Sequence, residues 1–140
     1  MLISGSCDKQ VVLWNAEDGS EQAKVKAHRG YVMDVSLISE RLAASAGADG
    51  VIKLWNLPEL REVHVFSGHD GGVTRVTPCG AGHLLSGGWD GTVQLWDLDS
   101  KSEVARLMGH TGRLHGLAAS ADSKMILSAA EDGRVIVWSR

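Results

Sequence analysis

Ser86-Gly87-Gly88-Trp89-Asp90-Gly91-Thr92-Val93-Gln94-Leu95-Trp96 decides how the rest of the chain is read. Asp90-Gly91 is a tight-turn dipeptide. Behind it Val93 and Leu95 alternate with Thr92 and Gln94, and ahead of Ser86 stands the apolar pair Leu84-Leu85. Period-two apolar alternation on one side of an Asp-Gly turn and a short apolar run on the other predicts a β-hairpin. Within it a serine precedes the tryptophan by ten residues and an aspartate precedes it by six. The same offsets recur at Ser4, Asp8 and Trp14, at Ser45, Asp49 and Trp55, and at Ser128, Asp132 and Trp138. These tryptophans are spaced by 41, 41 and 42 residues. A fixed period near forty residues is the signature of a repeat architecture, with one supersecondary unit per period.

Histidines keep the same spacing. His28, His69 and His110 lie 41 residues apart, and the one extra residue of the last unit is expected in the polar stretch Ser120 to Lys124. After each serine only small residues occur, Gly5-Ser6, Ala46-Gly47, Gly87-Gly88 and Ala129-Ala130, as expected where strands crowd together. Turn chemistry is Asp-Gly at Asp49, Asp90 and Asp132, but Asp8 is followed by Lys9. A strand after each histidine carries apolar anchors at Val32 and Val35, Val73 and Val76, Leu114 and Leu117. A spacing of three puts both anchors on one face only if a bulge separates them. A fourth strand, at Gln22 to Ala27, Val63 to Ser67 and Val104 to Met108, carries Lys24, Lys26 and Arg106 and is expected at an exposed outer edge.

Four short antiparallel strands per unit, with His, Ser, Asp and Trp at fixed offsets, resemble the WD-repeat β-propeller family. The likeness covers the whole chain and rests on Gly68-His69, Gly109-His110 and Ala27-His28 at one end of the unit. At the other end stand Trp96-Asp97 and its variants Trp14-Asn15, Trp55-Asn56 and Trp138-Ser139. The resemblance implies an all-β fold of four-stranded blades in an incomplete ring of about four. One partial propeller fills residues 1–140: an incomplete first blade over 1–27, repeats over 28–68 and 69–109, and a last repeat over 110–140 that lacks its outer strand. It also implies a hydrogen-bonded chain inside each blade. The sets are His28, Ser45, Asp49 and Trp55, then His69, Ser86, Asp90 and Trp96, then His110, Ser128, Asp132 and Trp138, with Ser4, Asp8 and Trp14 as a set lacking its histidine. A buried indole N–H, hydroxyl or imidazole without a partner costs about 1 to 3 kcal/mol, so such a chain has an independent physical reason. Ser, His and Asp together also spell a hydrolase triad, but a set copied three times at constant spacing is what a repeated fold requires.

Composition narrows the function. Fourteen basic and seventeen acidic residues give a net charge of −3, which lacks the cationic field of a dedicated nucleic-acid or membrane-surface protein. Cys7 and Cys79 have neither disulfide-scaffold nor metal spacing, His64, His83 and His115 fall outside the repeat pattern, and Gly68-His69-Asp70-Gly71-Gly72 lacks the ending of a phosphate loop. No cofactor, no metal site and no catalytic residues are expected, and a reducing, cytoplasmic setting is the reading from cysteine usage. The family likeness implies a scaffold that docks a protein or peptide. It places contacts at the residue before each turn aspartate and at the first and third residues after each histidine. Trp89, Tyr31, Arg29, Arg113, Asp70 and Glu131 are the candidates, and Trp89 leads because its counterparts are Cys7, Ala48 and Glu131. Its alternative role is to cap the channel or to pack on a neighbouring blade.

The two ends do not match. The first unit has no histidine and no strand to follow it, so the N-terminus reads as cut, whereas ending at Trp138-Ser139-Arg140 reads as natural. An arc leaves two apolar faces in water. Its completion is expected as the C-terminal half of a longer propeller, with assembly of copies and a four-bladed monomeric closure as alternatives. A competing reading makes the chain a regulatory or targeting module of a larger enzyme.

Overall fold

The computed structural model describes residues 1–139, all of whose regular elements are strands. Among the described residues no helix is long and apolar enough to cross a membrane. Fourteen strands make four antiparallel sheets. The first sheet is β1 (Leu2–Gly5), β2 (Gln10–Trp14) and β3 (Glu21–Lys26). The second is β4 (Val32–Ser39), β5 (Leu42–Gly47), β6 (Val51–Asn56) and β7 (Arg61–Ser67). The third is β8 (Val73–Pro78), β9 (His83–Gly88), β10 (Val93–Asp97) and β11 (Ser102–Leu107). The fourth is β12 (Leu114–Ala119), β13 (Met125–Ala130) and β14 (Val135–Ser139). Each sheet is a meander in chain order, and the four stand side by side as propeller blades in an arc that does not close into a ring.

The anchors spaced by three do sit at bulges: the register of β4, β8 and β12 shifts between Val32 and Asp34, Val73 and Arg75, and Leu114 and Gly116. Strands β3, β7 and β11 are the outer edges. β3 and β11 each end one residue earlier than the sequence implies, although the Ala27 amide still donates to the Lys9 carbonyl at 2.8 Å, in register with the β2–β3 pairing.

Period-two alternation gives each blade two faces with different jobs. Val11 and Leu13 of β2 point forward onto Ala43 and Trp55 of the next blade, Ile52 and Leu54 onto Leu84 and Trp96, and Val93 and Leu95 onto Ile126 and Trp138. Every periodic tryptophan after the first therefore faces back against the preceding blade. Leu13, Ile52, Leu54, Leu84 and Trp55 are each 2 % exposed or less, and burying such side chains stabilises by about 1.5 to 3 kcal/mol apiece. Polar ties cross the seams near the inner strands. The Val76 amide donates to the Asp34 carboxylate at 3.0 Å, and the Thr74 hydroxyl donates to the Leu114 carbonyl at 2.6 Å.

Candidate functional site

Three of the four polar sets come together in the same geometry. In the second blade the Trp55 indole N–H donates to Ser45 Oγ at 2.9 Å, Ser45 Oγ lies 2.7 Å from His28 Nε2, and His28 Nδ1 lies 3.1 Å from both Asp49 oxygens. The third blade repeats this with Trp96 to Ser86 at 2.8 Å, Ser86 to His69 at 2.7 Å and His69 to Asp90 at 3.1 Å. The fourth joins Trp138 to Ser128 at 2.9 Å, Ser128 to His110 at 2.8 Å and His110 to Asp132 at 2.9 Å. In the first blade Trp14 donates to Ser4 at 2.8 Å. There Asp8 is met by the Ser6 hydroxyl and the Gln10 amide in place of a histidine.

Proton bookkeeping gives these chains a direction. Where Nε2 is bare, the serine hydroxyl accepts from the indole and donates to Nε2, and Nδ1 carries the ring proton and donates to the carboxylate, which is the neutral imidazole that burial favours at His28 and His69. Burial drives His28 and His69 below the ordinary histidine value, against the pull of Asp49 and Asp90. Burial alone would raise the Asp90 carboxyl, but amide hydrogen bonds from Thr92 and Asp70, together with His69, hold it below the usual range. Each carboxylate also accepts the amide of the residue after its histidine, from Arg29, Asp70 and Thr111, all at 2.9 Å. The loop entering a blade is thus tied to that blade's hairpin turn. Gly47 and Gly88 make room for it, since a Cβ at either would lie within 2.5 Å of a histidine ring nitrogen.

The order Asp, His, Ser is that of a nucleophilic triad, so access decides what it can do. Ser45 and Ser86 are 0 % exposed and each Oγ is capped by an indole. A hydroxyl sealed in this way has no approach for a substrate carbonyl.

The surface candidates divide into two places. Trp89 is 36 % exposed, its amide donates to the Gly72 carbonyl, and its ring covers Gly72, where a Cβ would meet it at 2.7 Å. Arg113 stacks on this ring from the fourth blade, with its guanidinium carbon 4.5 Å from the ring centroid. The Glu131 amide donates to the Arg113 carbonyl at 2.9 Å, and the Glu131 carboxylate lies 3.1 Å from His115 Nε2. Trp89, Arg113 and Glu131 are therefore contiguous, and His115, which the repeat pattern leaves unassigned, joins them. Asp70 is exposed at the start of the loop leading to Gly72. Tyr31, 55 % exposed, lies in the second blade, where its carbonyl accepts from the Ala48 amide. Arg29 lies apart from Trp89, at the seam between the first two blades. Trp89 both packs on its neighbours and faces solvent.

Among the described residues no group of three or more His, Cys, Asp or Glu side chains is placed to hold a metal ion. Cys7 is exposed and Cys79 buried, and both are free thiols.

Comparison with known proteins follows the same repeat. The family described as WD domain, G-beta repeat matches residues 19–56, 60–97 and 101–139. No curated protein matches the chain. Two computationally designed proteins with crystal structures share the fold. Ika4 has a TM-score of 0.87 at 24 % identity, covering 98 % of this chain and 83 % of its own. Ika8 has a TM-score of 0.86 at 24 % identity, covering 99 % of this chain and 42 % of its own.

Proposed function

The chain belongs to the WD domain, G-beta repeat family, and from that premise we propose that it is a non-catalytic scaffold that docks a protein or peptide partner through the surface around Trp89 and Arg113. The observation that carries this reading is the stacked pair itself. Tryptophan and arginine are the residues most enriched in binding hot spots, and here they stand at solvent-facing positions occupied elsewhere by Cys7, Ala48 and Glu131, and by Tyr31 and Gly72. Nothing in the repeat calls for an indole there. The polar sets serve as internal fasteners that hold the loops presenting this surface.

The ends of the arc support completion into a ring. Val135 and Val137 of the last blade are 65 % and 59 % exposed, whereas their counterparts Val93 and Leu95 are 0 % and 5 %. Leu2 on the opposite end face is 57 % exposed, whereas its counterpart Ala43 is 0 %. One end thus presents the valine side of a seam and the other the tryptophan side. Further blades, as part of a larger propeller, would cover both.

Affinity capture with the wild type and with Trp89→Ala tests the docking surface. Loss of the captured partners with Trp89→Ala, in a variant whose melting is close to wild type, supports it, and an identical set of partners contradicts it. Light scattering separates completion in trans, seen as a dimer mass, from completion by other blades.

A further inference from the structure

Trp89 differs from the other tryptophans in its indole N–H. Those of Trp14, Trp55, Trp96 and Trp138 each donate to a serine of their own blade, whereas among the described residues no acceptor meets that of Trp89. The cation stacked on it is in the same condition. Arg113 carries five N–H donors, and among the described residues none of them reaches a carboxylate or a carbonyl. Arg29, Arg41 and Arg61 also lack an acceptor, but none of them lies over an aromatic ring. The other cation that does, Lys53 over Trp55, is paired with Glu62 at 2.6 Å. Arg113 is thus held by a ring and left without an acid.

The acids around the pair are turned elsewhere. Glu131 meets His115 at 3.1 Å, and the Asp90 carboxylate is taken by His69 and by the amides of Asp70 and Thr92. Two neighbouring groups that only donate therefore stand at the surface with no acceptor of their own. Both are also restrained before any ligand arrives. The indole rests on Gly72, where a Cβ would come within 2.7 Å of it, and the guanidinium carbon lies 4.5 Å from the ring centroid. A free surface arginine loses much rotamer entropy when it is fixed by a partner, and one already stacked loses less.

We propose that Arg113 and Trp89 bind a side-chain carboxylate, an Asp or Glu of a partner peptide, with the guanidinium as a planar two-pronged donor and the indole N–H as a further one. An apolar residue beside that acid would lie against the exposed part of the indole. A monoanion fits better than a phosphoryl dianion, because the site has one unpaired cation and shares its surface with Asp70 and Glu131. A side chain fits better than a chain end. C-terminal carboxylates are captured by backbone amides, and those of Trp89 and Glu131 are already bonded to the carbonyls of Gly72 and Arg113. The inference rests on the chain being a scaffold that docks a protein or peptide at this surface, and it adds the chemical class that the surface reads.

Selection of a displayed random-peptide library on the whole chain tests it, followed by fluorescence polarisation with the selected sequences synthesised with both ends blocked. The selected peptides are expected to share an Asp or Glu beside an apolar residue, and changing that acid to its amide should weaken binding by at least about tenfold. Arg113→Gln should weaken the acidic peptide by a similar factor and the amide peptide by little, so that the two changes are not additive. Arg113→Lys keeps the charge without the fork and should recover only part of the binding. Peptides that lose affinity in Trp89→Ala but are indifferent to the acid would overturn the inference and leave the scaffold reading standing. Peptides that bind Trp89→Ala and Arg113→Gln as they bind the wild type would overturn both. Binding that needs a free C-terminus, or that tightens by about tenfold when phosphoserine replaces the acid, would also overturn the inference.

Discussion

Arg113 lies with its guanidinium carbon 4.5 Å from the ring centroid of Trp89, so the fourth blade reaches back across a seam to cover a residue of the third. The pair joins two blades and also keeps a rigid amphipathic surface in solvent. Trp89→Ala removes an exposed cation–π contact worth about 0.5 to 1 kcal/mol and some packing over Gly72, so urea unfolding is expected to show a loss below about 2 kcal/mol. A larger loss would make Trp89 a packing residue first.

Lys9→Gly gives a second expectation, of opposite sign. It relieves a left-handed side chain, φ +73° at a turn position where the other units have glycine, a gain of about 1 to 2 kcal/mol, and concedes part of this to the greater freedom of glycine in the unfolded chain. The net is a stabilisation of about 0.5 to 1 kcal/mol, read as a higher melting temperature. A lower one would show that the Lys9 side chain supports the fold.

Acidification should weaken the fold in two stages. Burial lowers His28 and His69, so the unfolded chain takes up protons near pH 6.5 that the native chain refuses. Their contribution is full above that pH and declines below it. Asp90 and Asp132 are held low, so theirs persists until the carboxylate range and is lost as pH falls further. Asp34 is raised by burial and acts in the opposite direction, since the native chain takes up its proton at a higher pH than the unfolded chain does. Urea midpoints at pH 7.5 and 5.5 check the sign: the lower pH should give the lower midpoint.

The buried serines make a chemical prediction. Ser45, Ser86 and Ser128 stand beside histidine as a nucleophile would, but are sealed by indoles, so incubation with a fluorophosphonate should leave the intact mass unchanged. An adduct on any of the three would show a reachable, activated hydroxyl.

Within a blade the sequence was a good guide. Asp90-Gly91 and the alternation of Val93 and Leu95 specify a hairpin because turn type and pleat are local properties, and Val32 with Val35 exposes the bulge because a strand has a side-chain period of two. Contacts across seams were not legible. Trp89 and Arg113, and Asp34 and Val76, meet through the stagger of one blade on the next, which no spacing along the chain encodes.

The fasteners themselves are tested most directly by urea unfolding of Ser86→Ala, which keeps nearly the same volume and removes only the hydroxyl that joins Trp96 to His69. Both partners are then left buried without their hydrogen bond. The account predicts a loss of at least about 1 to 3 kcal/mol with the sheets intact, and wild-type stability in this variant would contradict it.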